Sequence, residues 1–127
     1  MGKNVQILVV EDNPKNLRLV NDILESQGYS ILKAETGEEG LKKARDKNPD
    51  LIIMDIQMAD YDGLLVTKIL KENDVTAQIP IIALTAMAMK GDREKIIQAG
   101  CDDYLSKPFR YDHLIETVRK WAPNISS

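Results

Sequence analysis

The stretch Asp50-Leu51-Ile52-Ile53-Met54-Asp55 limits what this chain can fold into more than any other. Four consecutive apolar residues between two acids make too short and too uniform a run for an amphipathic helix. They read as a strand buried on both faces, as in the interior of a parallel sheet. Asp55 then stands where the strand runs out into a loop, and open α/β sheets bind their ligands at the carboxyl ends of strands. A carboxylate there is either a cap for the next helix or a reactive group.

Four further strands are expected from similar runs: Val5 to Val10, Tyr29 to Ala34, Ile81 to Leu84 and Cys101 to Leu105. The second is mixed in polarity at Ser30 and Lys33, which suits a sheet edge. Helices are expected between them. Asn13-Pro14 supplies an N-cap and a proline at the first helical position, and Gly28 a C-terminal stop. Thr36 and Glu39 fit a capping box, and that helix stops before Asn48-Pro49. A third helix follows Asp62-Gly63 with Leu65, Val66, Ile69 and Leu70 inward. A fourth, about Asp92 to Ala99, turns Ile96 and Ile97 inward and stops at Gly100. The fifth, Tyr111 to Trp121, buries Leu114, Ile115, Val118 and Trp121.

Five strands alternating with five helices imply an α/β fold with a parallel sheet, right-handed crossovers and helices on both faces. The strands holding Ile7, Ile53 and Ile82 read as the most buried, which fits the flavodoxin-like doubly wound order 2-1-3-4-5. Length supports one domain over residues 1–127, with a core from about 4 to 121 and a short C-terminal tail. A net charge of −3 gives no reason to expect nucleic acid or an acidic membrane as a direct partner. One cysteine, Cys101, excludes an internal disulfide and favours a cytoplasmic address. It reads as a small core residue, and His113 as a surface side chain.

In a parallel sheet all carboxyl ends share one rim, so Glu11, Asp12, Asp55, Thr85 and Lys107 are expected to converge. Each has an ordinary reading alone: a solvated turn, a satisfied hydroxyl, a surface lysine. Three acids, a hydroxyl and a lysine at or just past different strand ends are harder to explain that way. Clustered carboxylates raise one another's pKa unless a cation intervenes. Oxygen donors without histidine or thiolate suit Mg²⁺ (or Mn²⁺), while Lys107 and Thr85 suit phosphoryl oxygens. The set reads as Asp55 accepting a phosphoryl group.

With these residues in hand, the chain resembles the receiver domain of two-component response regulators over essentially its whole length. The resemblance rests on Val9-Val10-Glu11-Asp12-Asn13, Met54-Asp55-Ile56-Gln57-Met58, Asp62-Gly63, Leu84-Thr85-Ala86 and Lys107-Pro108, in that order and spacing. It implies Asp55 as phospho-acceptor, with Mg²⁺ held by Asp12, Asp55 and the backbone carbonyl of Gln57, and by Glu11 directly or through water. It implies Thr85 and Lys107 on the phosphoryl oxygens, a cis Lys107-Pro108 bond, Tyr104 as switch aromatic, and Gln57 and Met87 as residues tuning phosphate lifetime. Ala59 stands where the family usually has proline, which should loosen that loop.

The implied role is a monomeric, cytoplasmic signalling switch, not a turnover enzyme. It would take phosphate from a histidine kinase or histidine phosphotransferase and then alter contacts with a downstream protein target. Asn16, Leu17 and Val20 fall where receivers usually meet the histidine-bearing partner. Met87, Ala88 and Met89 are candidates for the output surface around the fourth helix, fifth strand and fifth helix. Ala83 to Asp92 resembles the bacterial cell-cycle and cell-polarity regulators, and a receiver from a hybrid histidine kinase or phosphorelay protein is the alternative. A dehalogenase-like aspartyl phosphatase would need a second aspartate two residues after the acceptor, where this chain has the neutral Gln57. A flavodoxin-type phosphate cradle would need small hydroxyl residues where Glu11-Asp12-Asn13 stands.

Overall fold

Asn13 opens the first helix as expected: its side chain accepts the backbone N–H groups of Lys15 and Asn16, and Pro14 takes the first helical position. In the computed structural model, which describes residues 5–56, 63–86 and 91–122, the elements run β1 (Gln6–Val10), α1 (Pro14–Glu25), β2 (Ser30–Ala34), α2 (Gly37–Lys47) and β3 (Leu51–Asp55). They continue with α3 (Gly63–Glu72), β4 (Ile81–Thr85), α4 (Asp92–Gln98), β5 (Asp103–Ser106) and α5 (Tyr111–Trp121). Gln57 and Met87 with their proposed roles, Asp62 of the Asp62-Gly63 motif, Ala59 and the Met87–Met89 surface lie outside the described residues.

The five strands form one sheet in the order β2-β1-β3-β4-β5, every neighbouring pair parallel. The interior strands are the three with the longest apolar runs, and every residue of β3 and β4 is buried. Side chains alternate between two cores. Leu8, Val10, Ile52, Met54, Ile81 and Ala83 pack under Val66, Leu70 and Ile96. Ile7, Val9, Ile53, Ile82, Leu84 and Leu105 pack under Leu17, Val20, Leu24, Leu114 and Val118. Each large side chain so enclosed contributes roughly 1.5–3 kcal/mol.

Several expectations shift. Leu65 and Ile69 are 49% and 37% exposed, and Ile97 is 53% exposed. In α3 the apolar residues outnumber what one core stripe takes up, and in α4 the adjacent Ile96 and Ile97 point about 100° apart, so only Ile96 turns in. Ile115 and Trp121 are half-buried. β2 starts at Ser30, although Tyr29 is itself buried, and β5 starts at Asp103, leaving Cys101 buried in the turn before it. Glu39 reaches back as a capping box requires, but its carboxylate accepts Glu35 N–H at 2.8 Å, one residue before the Thr36 cap.

Polar ties close the edge of the sheet opposite the carboxyl ends. Asp50 accepts Gln6 N–H at 2.9 Å, joining the starts of β1 and β3. Asp102 accepts Ile81 N–H at 2.8 Å and Lys71 Nζ at 3.0 Å. Trp121 donates its indole N–H to Asp103 at 2.8 Å. At the β2 edge, Lys43 Nζ donates to the carbonyl of Lys33.

Candidate functional site

Strand register decides which residues meet. Asp55 lies opposite Leu84, and Thr85 opposite Ser106, so β3, β4 and β5 end almost level. Val10, the last residue of β1, delivers Glu11 and Asp12 to the same rim, and Ser106 delivers Lys107. The chain turns out of β5 through a Lys107-Pro108 peptide bond that is cis, as the resemblance implied. Lys107 N–H is anchored to Thr85 O at 2.7 Å, and Glu11 N–H to Ala34 O at 2.9 Å.

Glu11, Asp12 and Asp55 each present a carboxylate oxygen, all within 4.8 Å of one another. Lys107 Nζ stands 3.3 Å from Glu11 Oε1 and 3.3 Å from Asp55 Oδ2. Glu11, Asp55 and Thr85 are buried and Asp12 is half-buried. Glu11 is therefore not the solvated turn residue that its sequence position allowed. Burial first, then a hydrogen bond to Asp55 and the Asp55 charge, push its carboxyl up to about 7; Asn13 N–H at 3.2 Å and the Lys107 charge oppose the rise. Even with Glu11 partly protonated, one ammonium leaves the cluster with excess negative charge in a largely buried setting. That favours a bound cation, and a donor set made only of carboxylate oxygens fits Mg²⁺.

The structure brings together Glu11, Asp12, Asp55 and Lys107, with Thr85 at the adjacent strand end. Tyr104 lies one strand over, half-buried against the α3–α4 side core, with the Arg93 guanidinium 6.0 Å from its ring centre. A cavity of about 330 Å³ opens beside the cluster between α1 and the start of α5, walled by Leu19, Val20, Leu84 and Phe109 with Glu11 and Lys107 facing it. Of the three α1 residues expected near a partner, Asn16 lines this cavity, Val20 lines it from the core, and Leu17 is a core residue, as the apolar stripe of α1 requires; Leu19 adds to the lining. Sequence reasoning missed the bond that Asn13 N–H donates to Glu11, because its role as a helix cap already accounted for the residue.

Residues 7–119 match the response regulator receiver domain family. The chain is 47% identical over 115 residues to the polar-differentiation response regulator DivK of Brucella anthropi, covering 91% of this chain and 94% of that protein. Among solved structures it is similar to the receiver domain of the sensor histidine kinase PA1611 from Pseudomonas aeruginosa, which has a magnesium ion coordinated in its active-site cleft. That match has 37% identity and a TM-score of 0.86, covering 94% of this chain and 98% of the other. The chemotaxis protein CheY4 of Vibrio cholerae matches with 26% identity and a TM-score of 0.89, over 94% of this chain and 99% of the other. Fold, rim and relatives agree, and the chain belongs to the response regulator receiver domain family of two-component signalling.

Proposed function

We propose that this protein is a phosphorylation switch of the polar-differentiation type, accepting a phosphoryl group on Asp55 from a phospho-histidine partner. The observation carrying this reading is the Lys107 ammonium 3.3 Å from Asp55 Oδ2 at the mouth of a three-carboxylate cluster. An Asp55 carboxylate oxygen attacks phosphorus in line. The P–N bond to the donor imidazole breaks, its electron pair passing to the ring nitrogen, which takes up a proton. Lys107 and the Thr85 hydroxyl hold the phosphoryl oxygens as charge moves onto them.

Glu11, Asp12 and Asp55 would hold Mg²⁺ together with the Gln57 carbonyl, and the bound ion would offset charge between carboxylates and phosphoryl oxygens. Hydrolysis by water returns Asp55 and releases inorganic phosphate, with Gln57 and Met87 setting the rate. Apart from these two reactions on itself the protein turns over no substrate. Its output is a shift in populations: Thr85 follows the phosphoryl group, Tyr104 turns inward, and the α4–β5–α5 surface changes for a downstream protein. In the same reading, residues 1–127 are one receiver unit, monomeric and cytoplasmic. The family match over residues 7–119 supports the first of these. Among the described residues no helix is long and apolar enough to cross a membrane.

Intact mass after incubation with phosphoramidate and Mg²⁺ tests the proposal. The wild type should gain one phosphoryl group and Asp55→Asn none. An unmodified wild type, or equal gain in the variant, would remove Asp55 from this role.

A further inference from the structure

We propose that Gly63 is a positioning residue for phosphoryl transfer, holding the Asp55 backbone in place because it has no side chain. The inference rests on the assignment of Asp55 as phospho-acceptor. A Cβ added at Gly63 would lie 2.4 Å from Ile56 Cα and 2.6 Å from the Asp55 carbonyl oxygen. Both are backbone atoms of the peptide that follows the acceptor, so no rotamer change can relieve the overlap. A normal carbon–carbon separation is about 3.5–4.0 Å, so α3 and the end of β3 would have to part by about 1 Å.

That close approach is bonded as well as packed. Gly63 N–H donates to Ile56 O at 3.3 Å, and the buried Thr67 hydroxyl donates to Gly63 O at 2.9 Å, fixing the first turn of α3. On the other side Ile56 N–H donates to Leu84 O at 3.2 Å. The Asp55–Ile56 peptide is thus clamped between β4 and the N-terminal turn of α3. Moving it by about 1 Å displaces the Asp55 carboxylate from Lys107 and Glu11, and misplacement on this scale costs on the order of 100-fold in reactions that depend on alignment.

The test compares rates of phosphorylation by phosphoramidate with Mg²⁺, followed by intact mass and normalised to the folded fraction. Gly63→Ala should react 10- to 100-fold more slowly than wild type, on the order expected for a misaligned nucleophile. Gly100→Ala is the control for lost stability alone. Its new Cβ sits at a positive φ of 109° and 2.7 Å from Lys71 Cγ, at the opposite edge of the sheet, and its rate should stay within about threefold of wild type. Should Gly63→Ala fail to fold, Thr67→Val, which keeps the side-chain shape and removes the bond to Gly63 O, should still slow the reaction severalfold. Wild-type rates in folded Gly63→Ala, or in Thr67→Val where it is needed, overturn the inference. So does an equal loss in Gly100→Ala. A wild type that gains no mass overturns the Asp55 assignment and this inference with it.

Discussion

Lys107 reaches across the end of β4 to stand 3.3 Å from Asp55, although the two residues leave the sheet from strands that do not touch. Thr85, at the end of β4, lies on the strand between them. The lysine is thus held within ion-pair distance of the buried carboxyl groups of both Asp55 and Glu11, while Asp12, the third acid, is half-buried.

Lys107→Ala is expected to retain Mg²⁺ affinity, or to tighten it, because a competing cation has been removed from the acids. Phosphorylation by a small donor should fall on the order of 100-fold, as for other losses of a transition-state charge partner. Calorimetric Mg²⁺ titration alongside intact-mass kinetics checks both. A variant unable to bind Mg²⁺ would mean that Lys107 organises the acids instead.

Stability without divalent ions should depend on pH through Glu11. Its carboxyl is lifted to about 7 in the native state from an ordinary value of 4.5, chiefly by burial. Across that window the native chain holds a proton that the unfolded chain has released. Stability contributed by this group therefore falls as pH rises from 4.5 through 7, by on the order of 1–3 kcal/mol. Urea unfolding in EDTA at pH 5 and pH 8 should show the decline in wild type and a flatter profile in Glu11→Gln. Equal slopes in the two proteins would count against it.

Cys101 should be inert in the folded chain. Burial pushes its thiol up to about 11, and the hydroxyl of Thr67 lies 3.8 Å from the sulfur. Above pH 9 the unfolded chain loses this proton first, so stability falls further as pH rises towards 11. A disulfide reagent at pH 8 should label the native protein slowly and the urea-unfolded protein within seconds. Fast native labelling would show that the turn before β5 opens readily.

Trp121→Phe should cost about 1–2 kcal/mol, the range for a half-buried hydrogen bond to a carboxylate. It should leave phosphorylation unchanged, since Asp103 begins β5 at the edge opposite the acid cluster. Thermal melts and the mass assay together decide it; slowed phosphorylation would reveal coupling along β5.

The sheet order was legible because central strands must be apolar on both faces, and only the runs around Ile7, Ile53 and Ile82 are. Convergence of Glu11, Asp12, Asp55, Thr85 and Lys107 followed from parallel topology alone. Helix faces were less legible. Leu65, Ile69 and Ile97 match an inward stripe by type, yet only packing against a specific neighbour decides which apolar residue turns in. Lys71 with Asp102, and Thr67 with Gly63, carried no signal: one pair joins the last turn of α3 to the turn before β5, far apart in sequence, and the other hides a hydroxyl in a helix core. Gly63 read as a helix start because its importance lies in an atom it lacks, visible only once Ile56 is seen against it.

The Lys43 ammonium over the Lys33 carbonyl has a consequence beyond the chain itself. β2 ends the sheet, and an unguarded edge strand is a template on which another chain can lay its own strand. A newcomer would have to displace a bonded cation near the carboxyl end of that edge and leave it without its acceptor. The same lysine that ties α2 to β2 thus discourages edge-to-edge aggregation in a crowded, concentrated solution.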